Sequence, residues 1–410
     1  MMKILNFASA NIDYVYAVDH IVLPGETIPA GSMAIFPGGK GLNQSVAAAK
    51  AGGCVYHAGF IGSDGDILLD ILHESNVNLE NVCRVGEKNG HAIIQVSKNA
   101  ENSIVIFPGT NGMFSRSYID KVFEGFSKGD IVLLQNEINN LPYILETASN
   151  KGMTIILNPS PFDEKLKKLD LGLVSYLILN ETEAKGFFGK ETQEEIALCA
   201  RTQYPKMKLI LTLGKAGCVY VDSNMVLPVP AYQVESVDTT AAGDCFTGYF
   251  AAQLSRNVPC EQSLRTASMA AAITVSRRGA APSIPYAWEV DRVRDSLKPY
   301  PSQSKEQAIR EKIDAYCKEH LEDANLDGLA RKLGYSGAYV SELVRNLTGR
   351  SFSELLQRIR CREAAHLLRT TDLPVGEIIR RVGYRNESFF REKFRYIYYM
   401  GPKEYRKKGK

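Results

Sequence analysis

The chain has 410 residues, 45% of them hydrophobic, which leaves room for two domains with a sizeable core. Its net charge of +3 is unevenly spread: from Lys305 onward 23 Lys and Arg stand against 15 Asp and Glu (+8), and the preceding residues carry 26 against 31 (−5). A basic tail on an acidic body suggests nucleic acid at one end only, although a solvated helical face gives the same count. The eight cysteines lack CxxC or other metal-ligand spacing, which argues against zinc or a disulfide scaffold and for a reduced, cytoplasmic protein.

In chain order, residues 1–8 form an apolar, strand-like run too short for a signal peptide. No later stretch approaches the roughly 18–20 apolar residues of a membrane span. Gly38-Gly39-Lys40-Gly41-Leu42-Asn43-Gln44 opens an alanine-rich run, 45–51, predicted as a helix. Glycines let a backbone approach a ligand closely, and Lys40 and Asn43 supply donors suited to sugar hydroxyls or phosphate. The spacing is not that of a P-loop. Apolar runs at 131–134, 154–157, 176–179 and 209–213 alternate with helical patterns such as 181–188. Repeated strand–helix units predict a doubly wound, mostly parallel sheet with ligands at the strand C-terminal ends. Two β-rich stretches, 13–34 and 90–107, break the alternation.

The most informative segment is Asp238-Thr239-Thr240-Ala241-Ala242-Gly243-Asp244, followed by an apolar run, 245–254, with helical spacing. Small residues allow a tight turn, and the helix they open offers unpaired N–H groups and a positive dipole end to an anion. A carboxylate beside such an anion hole can take a proton from an alcohol as a phosphoryl group arrives. The pattern points to phosphoryl transfer to a hydroxyl, with a plain N-cap as the alternative role for Asp244. Neighbouring Cys245 reads as a packing residue.

Further landmarks follow in order: Asn11-Ile12-Asp13, Pro24-Gly25-Glu26-Thr27, Asn158-Pro159-Ser160-Pro161, Asn180-Glu181-Thr182-Glu183, Thr212-Leu213-Gly214 and Arg278-Gly279-Ala280-Ala281-Pro282-Ser283. With the two glycine-rich signatures they make residues 3–297 resemble the ribokinase (PfkB-type) carbohydrate kinases. The resemblance implies a ribokinase-like α/β fold whose β-rich stretches form a small lid over the sugar site and mediate a homodimer. It implies Asp244 as general base and the backbone N–H groups of Ala242, Gly243 and Asp244 as the anion hole. Asn11, Asp13, Gly39, Lys40, Asn43 and Glu137 would bind sugar hydroxyls. Asn180 and Glu183 would organise Mg²⁺ and phosphate, largely through water, and Asn180, Thr212, Gly214 and Gly217 would form the ATP site. The side chain of Asp238, carbonyls of Thr240, Thr274, Arg277 and Gly279, and the hydroxyl of Ser283 would hold K⁺. Read alone, Asn11 and Asp13 are turn residues and Glu183 is an ordinary first-turn helix acid.

Lys298-Pro299-Tyr300-Pro301-Ser302-Gln303-Ser304 reads as an exposed linker, so domains are expected at 1–297 and 308–410 with 298–307 between them. The helical tail contains a repeat: Leu329-Ala330-Arg331-Lys332-Leu333-Gly334-Tyr335-Ser336 parallels Ile378-Ile379-Arg380-Arg381-Val382-Gly383-Tyr384-Arg385. Each copy is an amphipathic helix ending in glycine, then a helix with a basic, polar face, as in a helix-turn-helix. With Ser351-Phe352, Arg358-Ile359-Arg360, Ser388-Phe389-Phe390 and Gly401-Pro402, the tail resembles the AraC-type DNA-binding domain over 308–407. That resemblance implies an all-α domain with two helix-turn-helix units on double-stranded DNA and recognition helices at 337–346 and 386–395. Its candidate contacts are Ala338, Tyr339, Ser341, Glu342 and Arg345, then Asn386, Glu387, Arg391 and Glu392. Glu392 stands where that family often has arginine, and the tyrosine-rich run at 396–400 is unusual.

The sequence thus reads as an ATP-dependent sugar kinase, a ribose-like pentose being favoured by Asn11, Asp13 and Glu137, joined to a sequence-specific transcription regulator. One alternative is a sugar-sensing regulator with little turnover, against which the intact Asp244, Gly243, Asn180 and Glu183 argue. Another is a basic domain that only localises the kinase.

Overall fold

The computed structural model describes residues 2–99, 101–300, 305–398 and 400–409. The chain divides into two compact units, Met1–Ser223 with Leu227–Pro301, and Asn224–Val226 with Ser302–Lys410.

The strands are β1 (Lys3–Phe7), β2 (Asn11–Val18), β3 (Ser32–Gly38), β4 (Cys54–Ile61), β5 (Asn78–Arg84), β6 (Gly90–Ser97), β7 (Asn102–Phe107), β8 (Ile131–Gln135), β9 (Thr154–Asn158), β10 (Tyr176–Asn180), β11 (Lys208–Thr212), β12 (Cys218–Val221) and β13 (Val226–Val229). The larger sheet runs β13-β12-β11-β10-β9-β8-β1-β4-β5. From β11 to β5 every neighbouring pair is parallel, and β12 returns antiparallel on β11. All five residues of β8 are buried, as expected for strands covered on both faces. The strand order reverses between β1 and β8, and ligands of such sheets bind beyond the strand C-termini at that point. Ser9 and Glu137 lie there, just past β1 and β8, and the Ser9 hydroxyl donates to the Glu137 carboxylate.

The predicted helix at 45–51 begins earlier, at Lys40, and ends at Lys50. Gly39, at φ +92°, makes the reversal, and Gly41 sits inside the first turn because a Cβ there would collide with the backbone of Ala8 and Ser9. The helix expected at 245–254 spans Ala242–Ser255, so Gly243 and Asp244 belong to its first turn. Ala241 before it holds a left-handed conformation, φ +60°, which is rare outside glycine.

A second sheet, β3-β2-β6-β7, is formed by the strands expected to make a lid. The expected β-rich stretch 13–34 is broken: β2 starts at Asn11 and ends at Val18, and residues 19–31 form no strand. Pro24 and Gly25 (φ +81°) turn the chain in that gap. Asn11 and Asp13, two apart on β2, project to the same side.

The first three residues of the expected linker, Lys298, Pro299 and Tyr300, are hydrogen-bonded to the first unit. Tyr300 N donates to Ala231 O at 2.8 Å, Gln233 N to Lys298 O at 2.8 Å, and Gln233 Nε2 to Pro299 O at 2.9 Å. A proline lacks a donor but its carbonyl still accepts, so a proline-containing segment can be paired. Residues 301–304 of the expected linker lie outside the described residues, and 305–307 open a helix.

The second unit consists of helices Lys305–Glu319, Leu326–Leu333, Gly337–Thr348, Phe352–Thr370, Val375–Arg381, Glu387–Tyr398 and Pro402–Gly409. Ile313, Cys317, Leu329, Val340, Val344 and Ile359 form one core, and Cys361, Leu368, Ile378, Val382, Phe390 and Phe394 a second. The Phe352–Thr370 helix contributes to both. Gly334 and Gly383, at φ +74° and +81°, make the two tight turns that the repeat anticipated. Among the described residues no helix is long and apolar enough to cross a membrane.

Candidate active site and nucleic-acid interface

Asp244 is buried in the first turn of the Ala242–Ser255 helix. Its Oδ2 accepts a hydrogen bond from Asn43 Nδ2 and its Oδ1 one from Gln44 Nε2, both at 3.0 Å. The N-cap position belongs to Ala241, which makes no side-chain cap, so the N-cap role for Asp244 is excluded. Ala242 and Gly243, in the same turn, line an adjacent cleft.

Three further charged groups surround Asp244. Burial pushes the Asp13 carboxyl up to about 7, and repulsion from Glu137 and Asp244 adds to this. Burial also raises Glu137, against hydrogen bonds from Ser9 and Lys40 that stabilise its charge; the Lys40 N–H donates to its Oε2 at 2.9 Å. Burial alone would lower the Lys40 ammonium, but the carboxylates of Asp244, Glu137 and Glu183 outweigh it and hold its pKa above the usual value. Gly38 makes room for this cluster, since a Cβ there would overlap the Asp13 carboxylate. Asn11 is buried, and its Oδ1 accepts from Asn111 Nδ2 at 2.7 Å. Asn43 Oδ1 is buried without a hydrogen-bond partner among the described residues. Carboxylates that accept, with amides and an ammonium that donate, are the groups a polyhydroxylated ligand pairs with.

Thr212, Gly214, Gly217, Ala242 and Gly243 line one cleft that is open to solvent. Tyr232, Val234, Phe246, Ala272, Val275 and Tyr300 give it largely apolar walls, suited to a planar ring. Gly214 and Gly217 both have positive φ, and a Cβ on Gly217 would overlap the backbone of Val229 and Ala231.

Asn180 and Glu183 form a capping box. Asn180 Oδ1 accepts from Glu183 N at 2.8 Å, and Glu183 Oε2 accepts from Asn180 N at 2.9 Å. This fixes both side chains and leaves Glu183 Oε1 and the Asn180 amide nitrogen for other partners. Among the described residues no cluster of three or more His, Cys, Asp or Glu side chains could hold a metal. The free Glu183 oxygen and Asn180 amide are a donor set that fits a cation keeping most of its water.

Asp238 ties two loops together: Oδ1 accepts from Thr240 N at 2.9 Å and Oδ2 from Gly279 N at 3.0 Å. Burial pushes its carboxyl up, but these bonds, with Arg278 nearby, hold it below the usual range. Of the other expected K⁺ ligands, the Thr274 carbonyl accepts from Arg277 N at 3.1 Å and the Ser283 hydroxyl donates to Ala280 O at 2.7 Å. The Arg277 side chain, distinct from the carbonyl expected at K⁺, pairs with Glu289 at 2.7 Å.

Several residues that shape the site carried no role in the sequence reading: Asn6, Gln44, Gln135, Asn158 and Asn111, all buried. A signal existed for two of them. Asn6 and Gln135 interrupt otherwise apolar parallel strands, where a polar side chain needs a buried partner.

In the second unit, Ser336 caps the Gly337–Thr348 helix, and Ala338, Tyr339, Ser341, Glu342 and Arg345 are all exposed, opposite buried Val340 and Val344. Asn386 caps the Glu387–Tyr398 helix, its Oδ1 accepting from Phe389 N at 3.0 Å. Glu387, Arg391 and Glu392 are exposed on that helix, which buries Phe390 and Phe394, and Arg391 is paired to Glu387 at 3.2 Å. Arg385, before the helix, and Arg395, on it, are also exposed.

A buried carboxylate in a helix N-terminal turn, beside a polyol-type cluster and an apolar cleft, is the arrangement of a kinase that phosphorylates hydroxyls. Residues 1–287 match the pfkB family of carbohydrate kinases, and the chain belongs to that family. Residues 329–408 match a helix-turn-helix domain, so a ribokinase-type sugar kinase and an AraC-type module share one chain. Ribokinase of Bacillus subtilis is 34% identical over 300 residues, covering 72% of this chain and 99% of that protein. Among solved structures, ribokinase from Thermotoga maritima superposes with a TM-score of 0.64 at 36% identity, covering 72% of this chain and 100% of that one. Arabidopsis thaliana ribokinase complexed with ribose and ATP gives 0.64 at 28% identity, covering 72% and 99%.

The Asp13 carboxyl has a testable consequence. A folded-state pKa of about 7, well above the ordinary carboxylate range, means the stability present in acid is lost as pH rises from that range through 7. Asp13→Asn is expected to stabilise the first unit at pH 8 by on the order of 2 kcal/mol, allowing for partial exposure, and to change it little at pH 4. Urea unfolding at both values checks this, and an equal effect at the two pH values would contradict it.

Proposed function

We propose that the first unit transfers the terminal phosphoryl group of ATP to a primary hydroxyl of a ribose-like pentose, and that the second unit binds double-stranded DNA in a sequence-specific manner. The observation that carries the kinase reading is the single helical turn that seats Asp244 in its amide cradle while Ala242 and Gly243 face the cleft. In this reading Asn11, Asp13, Gly39, Lys40, Asn43 and Glu137 hold the sugar under the lid. Asp244 accepts the proton of the attacking hydroxyl, and the N–H groups of Ala242, Gly243 and Asp244 stabilise the charge on the incoming phosphoryl group. The apolar cleft takes the nucleotide, with Asn180, Thr212, Gly214 and Gly217 at its edge. Asn180 and Glu183 would hold Mg²⁺ through its water shell, and the ion would supply charge neutralisation for the transfer. Asp238, Thr240, Thr274, Arg277, Gly279 and Ser283 would hold K⁺, which keeps the anion-hole loop compact. The ribose and ATP of the Arabidopsis complex support the choice of substrates.

We place the kinase domain at 1–297 and the DNA-binding domain at 308–410, in a cytoplasmic protein. Exposed Ile35, Ile93, Ile104, Val105, Ile106 and Phe107 on the lid strands support a homodimer through that sheet. Ala338, Tyr339, Ser341, Glu342 and Arg345, with Asn386, Glu387, Arg391 and Glu392, face the DNA in this reading. The helix-turn-helix domain also favours a second reading, in which the kinase fold senses sugar with little turnover.

ADP release from Mg-ATP over a panel of pentoses, hexoses and nucleosides, with and without K⁺, separates the two. Turnover on a pentose is expected, falling at least about 10²-fold in Asp244→Asn. Saturable sugar binding with no turnover would instead establish the sensor. For the second unit, Arg345→Ala is expected to weaken a sequence-selected duplex by about 1–3 kcal/mol in a gel shift. Salt-dependent binding without sequence preference would reduce that unit to a localising role.

A further inference from the structure

Gln44 makes three hydrogen bonds with no exposed surface. Its Nε2 donates to Asp244 Oδ1 and to Asn158 Oδ1, each at 3.0 Å, and its Oε1 accepts from Gln135 Nε2 at 2.7 Å. The two ends of an amide have nearly the same shape, so the partners must fix which end faces Asp244.

Two backbone carbonyls do so independently. The Asn6 amide nitrogen donates to Gly41 O at 2.8 Å and Ser45 Oγ at 2.9 Å, which turns Asn6 Oδ1 toward Gln135. Gln135 must then present Nε2, at 3.0 Å, and the second hydrogen of that nitrogen meets Gln44 Oε1. From the other side, Asn158 Nδ2 donates to Ile178 O at 2.9 Å, which turns Asn158 Oδ1 toward Gln44. Both chains of bonds leave the Gln44 NH₂ pointing at Asp244. Gln135 Oε1 remains buried with no hydrogen-bond partner among the described residues. That arrangement costs stability, which fits a relay kept for orientation.

We infer that Gln44 is a positioning residue for phosphoryl transfer, its amide locked by the Asn6–Gln135 and Asn158 relays so that it holds the Asp244 carboxylate in one orientation. This deepens the proposed kinase reading and rests on it. With Asn43 on Oδ2 and Gln44 on Oδ1, rotation of the carboxylate would break both bonds, and each oxygen keeps a lone pair for the sugar hydroxyl. The other titratable groups facing it are Asp13, Lys40 and Glu137, with Cys245 adjacent on its own helix.

The test is the pH profile of kcat/KM on the sugar that the wild type phosphorylates, with Gln44→Glu, Gln44→Met and Asp244→Asn in the full chain. A carboxylate at 44 faces two acceptors and a like charge. Gln44→Glu is therefore expected to move the acid-side midpoint of kcat/KM up by about one pH unit or more, and to lower kcat at least about tenfold at neutral pH. Gln44→Met removes the donor without adding charge, so a smaller shift in the same direction is expected, and this variant decides the matter if Gln44→Glu does not fold. A loss equal at every pH, or a wild-type profile in both variants, would overturn the role of Gln44 while an inactive Asp244→Asn leaves the base intact. Wild-type turnover in Asp244→Asn would overturn the base itself, and the Gln44 role with it.

Discussion

The structure of the first unit depends on one buried contact between two helices that lie 200 positions apart in sequence: Gln44 and Asn43 on one, Asp244 on the other. The helices can approach this closely because residue 248 is glycine; a Cβ there would meet Ala47 and the backbone of Gln44 and Ala48. Close packing here is thus a condition of the chemistry, since a wider separation would leave the Asp244 carboxylate without its two donors. The same helical start exposes Ala242 and Gly243 to the cleft, so in the proposed mechanism one turn of backbone serves both the hydroxyl and the phosphoryl side.

Such a centre is held against its own electrostatics. Asp13 and Glu137 are both pushed toward their protonated forms by burial, and Lys40 keeps its charge only because carboxylates surround it. A fold selected for stability alone would replace this cluster with apolar side chains. Gly38 and Gly39 make the same point in the backbone, since each is shaped around the strand that carries Asn11 and Asp13.

Much of this was legible in the sequence because it rests on local chemistry. The strand at 131–134 and its parallel neighbours showed as apolar runs, the helix at 181–188 matched residue for residue, and the repeated glycine turns at Gly334 and Gly383 announced the two helix-turn-helix units. What escaped was long-range. The start of the first helix at Lys40 was hidden by Gly41, a poor helix former placed for close approach to Ala8 and Ser9. Pairing of Lys298–Tyr300 with Ala231–Gln233 was hidden because prolines read as linker whether or not their carbonyls are used. Polar Asn6 and Gln135 in apolar strands signalled buried partners, but which groups they and Asn158 pair with could not be read, since the relay assembles from separate strands. Asn180 and Glu183 are a mixed case: their spacing is a capping box by local rules, and the cation role rests on the atoms the box leaves over.

The second unit adds a basic, helix-turn-helix module to this kinase, and its recognition helices present their candidate residues to solvent away from two small apolar cores. The central claim concerns the first unit, that Asp244 receives the proton of the sugar hydroxyl. A crystal structure of the chain with ribose and a non-hydrolysable ATP analogue tests it most directly. The expected result is a primary hydroxyl within hydrogen-bond reach of Asp244, roughly 2.6–3.2 Å, with the terminal phosphate against the N–H groups of Ala242 and Gly243. A sugar bound with every hydroxyl turned away from Asp244 would contradict it.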